Sequence, residues 1–143
     1  MNRPLFVDSS AWIALTSADD HAHAQAQAFF AQEIQARRRQ LLTTNFVLSE
    51  TLTLLRYRFG LSVAETLWKS VQQSQAVGLL EVRHLTEDIW VESLDIFFKY
   101  RDQDCSLVDC TSFALIRSEG IDTAFAFDHH FWVMGFVVEP TGR

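Results

Sequence analysis

The chain has 143 residues, 48% of them hydrophobic, including twelve Phe and four Trp, and a formal net charge of −6. That much apolar surface excludes intrinsic disorder, because its burial offsets the entropy of ordering, and the length suits one hydrophobic core, so residues 1–143 are read as a single domain. The negative charge counts against a partner held by phosphate contacts alone, and two cysteines, Cys105 and Cys110 in a C-x4-C spacing that fits no common zinc pattern, exclude a disulfide-stapled scaffold and predict buried, reduced thiols.

Leu5-Phe6-Val7 is a short apolar run, and Asp8-Ser9-Ser10 after it suits the start of a helix carrying Ala11 to Leu15. Asp8 also interrupts the apolar residues too early for a signal-peptide core. No later stretch approaches an uncharged span of about 20 residues, so a cytoplasmic protein with no membrane association is expected. A second helix is expected from His21 to about Arg39, rich in Ala and Gln and ending in three arginines. Leu41 to Thr44 reads as a strand. Phe46, Val47, Thr51, Leu54 and Leu55 then recur with helical period up to Phe59-Gly60.

Ser62-Val63-Ala64-Glu65 has the pattern of a capping box opening a helix to about Ala76, and Leu80 to Leu85 alternates as a strand does. Thr86 suits the cap of a helix carrying Ile89, Trp90, Leu94, Phe97 and Phe98. A further helix is expected from Leu107 to Gly120, followed by a strand over Thr123 to Phe127 that ends at Asp128. Gly135 to Val138 suggests one more short strand before a fraying tail, Pro140 to Arg143. Strands alternating with helices predict an α/β fold, a central short parallel sheet with helices on both faces.

In such sheets ligands bind beyond the carboxyl ends of the strands. Asp8 and Asp128 directly follow strand-like runs, Glu50 lies in the first turns after the Leu41 to Thr44 strand, and Asp109 lies in the first turn after Ser106. All four carboxylates can therefore reach one edge. Like charges gathered there raise one another's pKa, so a cation is expected among them, and hard oxygen ligands select Mg2+ or Mn2+. A cation so held orients and acidifies a water for in-line phosphodiester hydrolysis. It also offsets four of the six excess negative charges locally, which weakens the objection to a nucleic-acid partner.

Each acid has a plainer reading. Asp8 and the Ser106 to Asp109 pattern suit helix capping, Glu50 a solvated helix face, Asp128 a turn, and Asp104 a solvated loop. His129-His130 adjoins Asp128 and can touch a substrate phosphate, although packing or solvation is the commoner role. Arg37-Arg38-Arg39 serves equally as a backbone contact to RNA or as complement to a helix dipole. Arg56 and Arg58, just beyond Glu50, suit either the border of a substrate groove or pairing with acids of a partner protein.

The segments FVDSSAWIAL, TTNFVLSETLTLL, DCSLVDCTSFALIRSEGI and TAFAFDHHFWVMGF together resemble the PIN-domain family, in particular the VapC-like toxins of prokaryotic toxin-antitoxin pairs. The resemblance spans nearly the whole chain. It implies a PIN-like fold, Mg2+- or Mn2+-dependent endoribonuclease activity on an RNA substrate, inhibition by a small cognate antitoxin, and commonly a homodimer. It places Asp8, Glu50, Asp109 and Asp128 on the family's acidic quartet, with Asp8 and Asp109 as principal metal ligands. Ser10 and Ser106 fall on its supporting hydroxyls, and Asp104 is a secondary candidate.

Two other classes compete. A Mg2+-dependent phosphoaspartyl phosphatase would show D-x-D at the first strand, but position 10 is Ser, and Lys69 and Lys99 lie in helices without matching context. A non-catalytic PIN scaffold that only binds proteins would be expected to have lost acids, and none of the four is missing.

Overall fold

The computed structural model of the chain describes residues 3–141, so of the tail expected to fray, Gly142 and Arg143 lie outside the described residues. Among the described residues five strands form one parallel sheet in the order β3-β2-β1-β4-β5, with β1 at Leu5–Val7, β2 at Leu41–Thr44, β3 at Leu80–Arg83, β4 at Thr123–Phe125 and β5 at Val137–Glu139. The helices are α1 (Ser9–Thr16), α2 (His23–Phe29), α3 (Asn45–Phe59), α4 (Leu61–Ala76), α5 (Glu87–Lys99), α6 (Leu107–Ser118) and α7 (His130–Val133). They cover both faces of the sheet, as the alternation of strands and helices predicts.

The central strand β1 is wholly buried, which is why it reads as a continuous apolar run and not as an alternation. Thr43 and Thr44 are the polar exceptions in β2, and both are satisfied. The Thr43 hydroxyl donates to the Val7 carbonyl (3.0 Å) and accepts from the Trp12 indole N–H (3.3 Å), while Thr44 caps α3 by accepting from the Val47 N–H (3.0 Å). Helix α6 is buried on almost every side from Asp109 to Ile116. Phe6, Phe113, Phe131 and Phe136 pack as one aromatic cluster, with the Phe113 ring 5.0 Å from Phe131 and 5.7 Å from Phe136.

Four local expectations change. The helix expected from His21 to Arg39 is a short α2 continued by a π-helical segment, Phe30–Ala36, that ends before Arg38 at φ 55°. Ser62 does not open α4. Gly60, at φ 98°, ends α3 through its N–H to the Arg56 carbonyl and is at once the N-cap of α4, so Ser62 is already inside the helix. The last strand is displaced to Val137–Glu139, and a one-turn helix, α7, precedes it where no period could announce one. Cys110 is buried, but Cys105 is only partly so.

The chain builds the sheet outward from β1 first to β2 and β3, then returns to add β4 and β5 on the other side. The order reverses between β1 and β4, and in open parallel sheets the crevice beyond the strand ends at such a reversal is where ligands bind. Asp8 follows β1 and Asp128 stands three residues beyond β4.

Candidate active site

Asp8 is the N-cap of α1 and is only 2% exposed. Its Oδ2 accepts from the Ser10 N–H (3.2 Å) and the Ser10 hydroxyl (2.7 Å), so the capping role and a place in the crevice are held by one side chain. The Ser10 hydroxyl also accepts from the Phe127 N–H at 2.9 Å. One oxygen thus joins the start of α1 to the loop that carries Asp128.

Asp109 lies opposite, in the first turn of α6. Ser106 and Asp109 form a reciprocal capping box, the Ser106 hydroxyl accepting from the Asp109 N–H (3.0 Å) and Asp109 Oδ2 from the Ser106 N–H (3.2 Å). Glu50 reaches in from the second turn of α3, and its Oε2 is buried with no hydrogen-bond partner among the described residues. Asp128 is half-exposed, and its Oδ1 accepts from the His130 N–H at 2.8 Å.

The four carboxylates feel one another. Burial pushes Asp8 up to about 7, with Asp109 and Asp128 adding to the rise against the hydrogen bonds from Ser10. Burial likewise raises Asp109 to about 6, with Asp128 and Glu50 adding to it. Glu50 is raised by burial first, then by Asp8 and Asp128. A group of acids this poorly neutralised, with an unpartnered buried oxygen among them, has the donor chemistry of a hard divalent cation site.

One ring nitrogen stands among the acids. The His130 ring, at the start of α7, has Nδ1 2.7 Å from Asp128 Oδ1 and 3.5 Å from Asp109 Oδ2, too far out of line with either for a formed hydrogen bond. His129 points outward, with its side chain 71% exposed. The pair was visible in the sequence, but only the tertiary placement of α7 separates the histidine at the acids from the solvated one. Asp104 is exposed in the loop before α6, outside the buried group.

A groove of about 450 Å3 opens at Glu50, lined by Asn45, Phe46, Ser49, Thr53, Leu54 and Val108. A smaller hollow of about 270 Å3 lies on the Asp128 side, beside His21, Gln25 and Phe127. Glu50 thus borders one depression and Asp128 the other.

The PIN domain family matches residues 5–137, nearly the whole length over which these elements run. The chain belongs to the PIN-domain family. Among curated PIN relatives, the 23S rRNA-specific endonuclease VapC20 of Mycobacterium tuberculosis, recorded in two strains, is 36% identical over 133 residues, covering 93% of this chain and 95% of the relative. The crystal structure of VapC20 from the same organism, described as a sarcin-ricin loop cleaving toxin, superposes with a TM-score of 0.81 at 34% identity, covering 93% of this chain and 96% of that one. The PIN-like fold expected from the four resembling segments, a central short parallel sheet with helices on both faces, is thus the fold observed, and the sheet has five strands. No helix among the described residues is long and apolar enough to cross a membrane.

Proposed function

We propose that residues 1–143 form one PIN-type unit that acts as a divalent-metal-dependent endoribonuclease, the toxin of a toxin-antitoxin pair, working in the cytoplasm on ribosomal RNA. The observation that carries this reading is the convergence of Asp8, Glu50, Asp109 and Asp128, from four separate elements, on the crevice between β1 and β4. The unpartnered Glu50 oxygen and the all-carboxylate donor set fit Mg2+ or Mn2+, with Asp8 and Asp109 as principal ligands and Glu50 and Asp128 completing the set. When bound, such an ion supplies Lewis-acid activation of the phosphate and acidification of water.

The chain's own groups do the rest. Ser10 holds Asp8 and, through the Phe127 N–H, the loop of Asp128, so that the two strand-end acids keep one geometry. Ser106 fixes Asp109 in the same way. Glu50, whose Oε2 is buried and unpartnered, is placed to take a proton from the attacking water as the water oxygen bonds to phosphorus, and the departing oxygen leaves with the electrons of the broken P–O bond. His130, at the edge of the acids, is placed to donate an N–H to a phosphate oxygen.

The similarity to VapC20, whose name specifies 23S rRNA, supports the substrate class. The groove at Glu50, with Phe46 in its wall and Arg56 and Arg58 exposed further along α3, suits an unpaired loop whose bases stack while its phosphates face cations. A cognate antitoxin and homodimer formation belong to the same reading.

The test is cleavage of 23S rRNA and of an isolated sarcin-ricin loop by the purified chain, in Mg2+, Mn2+ or EDTA, beside Asp8→Asn. Metal-dependent cuts that vanish in the variant support the proposal. A folded, metal-loaded chain that leaves both RNAs intact overturns the substrate assignment, and silence across a mixed structured RNA pool would return the chain to a protein-binding scaffold.

A further inference from the structure

The acidic pocket has a second set of donors at its rim that an oxygen-only site does not need. Cys105, just before the N-cap of α6, Asp109 in the first turn of that helix, and His130 at the start of α7 place one ligand atom each, a thiol sulfur, a carboxylate oxygen and a ring nitrogen, within 4.8 Å of one another. Four-coordinate zinc, with bonds of about 2.0–2.3 Å, sets its ligands roughly 3.3–3.8 Å apart. The three atoms thus need to close by about an ångström, which side-chain rotation supplies.

We propose that Cys105, Asp109 and His130 form a site for a borderline-soft divalent cation of the Zn2+ type, sharing Asp109 with the carboxylate cluster. Sulfur and imidazole select Zn2+ or Co2+ and are poor ligands for Mg2+, which takes oxygen. Asp109 and Asp128 lie 3.5 and 2.7 Å from the His130 ring nitrogen and favour a cation there, while burial first and then these acids push the Cys105 thiol up to about 11, so the metal displaces the thiol proton on binding. Cys105 is free and only partly buried, so the metal has a path to it. The fourth position is left for water or for Asp128, whose Oδ1 is 2.7 Å from the His130 ring. Since one carboxylate cannot serve both sites fully, Zn2+ and Mg2+ compete at Asp109, and zinc is an antagonist of whatever the acidic cluster does with magnesium.

The full chain is titrated with Co2+ as a spectroscopic probe, in the absence of RNA, so the result stands apart from any failure of the nuclease assignment. The expected result is a near-ultraviolet sulfur-to-cobalt charge-transfer band that saturates near one equivalent. It is lost in Cys105→Ser, retained in Cys110→Ser, and shifted to at least tenfold weaker binding in His130→Gln. Millimolar Mg2+ is expected to weaken apparent Co2+ affinity through the shared Asp109. A variant-free measurement guards against misfolding: Zn2+, but not Mg2+, slows alkylation of Cys105 at least tenfold in the wild-type chain. Cobalt binding without a thiolate band, a band that survives Cys105→Ser, or alkylation indifferent to Zn2+ would each overturn the site, and Co2+ affinity untouched by Mg2+ would overturn the sharing of Asp109.

Discussion

Helices α6 and α7 each carry two opposed chemistries within about a turn. On α6, Asp109 faces the acids while Phe113, one turn further, is fully buried against Phe131 and Phe136. On α7, His130 stands beside Asp109 and Asp128 while its neighbour Phe131 is fully buried in the aromatic cluster. The two regions differ in sign as well as in polarity. Apolar packing stabilises the fold by area and contact, whereas the carboxylates, desolvated and close together, oppose it unless a cation intervenes. The aromatic cluster thus holds in place the helix starts that the repelling acids would otherwise push apart, which is the usual relation of a strained site to its support.

The largest effect is expected where the support is removed. Phe113→Ala leaves a cavity between Phe131 and Phe136 and should cost about 3–5 kcal/mol of stability, read from urea unfolding at fixed pH. A loss below about 1 kcal/mol would mean that the cluster is not what anchors α6.

Next in size is the cost of the acids themselves. Asp8 rises from 3.8 to about 7 and Asp109 from 3.8 to about 6 on folding. A folded-state pKa above the unfolded one means that the folded chain binds more protons between those values. Stability from these groups is therefore complete below about pH 4 and is lost as pH rises through about 6 to 7. For Asp8 alone, about three pH units at about 1.4 kcal/mol each set a ceiling on the order of 4 kcal/mol. Unfolding in EDTA should accordingly be easier at pH 8 than at pH 5, and Mg2+ should restore stability at pH 8. Stability that is flat with pH in EDTA would show that the acids are well hydrated and repel little.

Asp8→Asn then separates function from stability. The amide keeps an acceptor for the Ser10 N–H and hydroxyl while removing the buried charge. RNA cleavage should fall by at least about 100-fold, near 2.7 kcal/mol in transition-state stabilisation, while the metal-free variant unfolds at higher urea than wild type at pH 8. Equal losses of both would make Asp8 a structural cap first.

The sequence shows the first of these regions better than its neighbour. Asp8 after Leu5-Phe6-Val7 and Asp109 within the Ser106 capping pattern are legible because strand ends and helix starts are local signals, and both capping readings hold alongside the crevice placement. That Glu50 can reach the same edge is legible from its place after the Leu41 to Thr44 strand, but the meeting itself needs the β3-β2-β1-β4-β5 order, which no local pattern carries. Which histidine of the His129-His130 pair meets the acids is not legible for a related reason. Helix α7 has four residues, too few for a period, and its position depends on packing against β5 and on Phe131 in the aromatic cluster. Gly60 shows a different failure, where a good capping box at Ser62 loses to a glycine two residues earlier that turns the chain and starts α4 at once.

The smallest effect tests the seam between the two strand-end loops. Ser10→Ala removes a donor to Asp8 Oδ2 and an acceptor for the Phe127 N–H, leaving that N–H partly buried and unpaired. Neutral hydrogen bonds of this kind are worth about 0.5–1.5 kcal/mol, and an orphaned buried donor costs about 1–3 kcal/mol, so a loss of about 1–2 kcal/mol is expected. Because the hydroxyl also lowers the Asp8 pKa, its removal should move the pH at which metal-free stability fades upward, by an amount that Ser10→Thr, which keeps the hydroxyl, restores. Stability loss without that movement would leave Ser10 a tie between loops, with Asp8 held by its backbone bond alone.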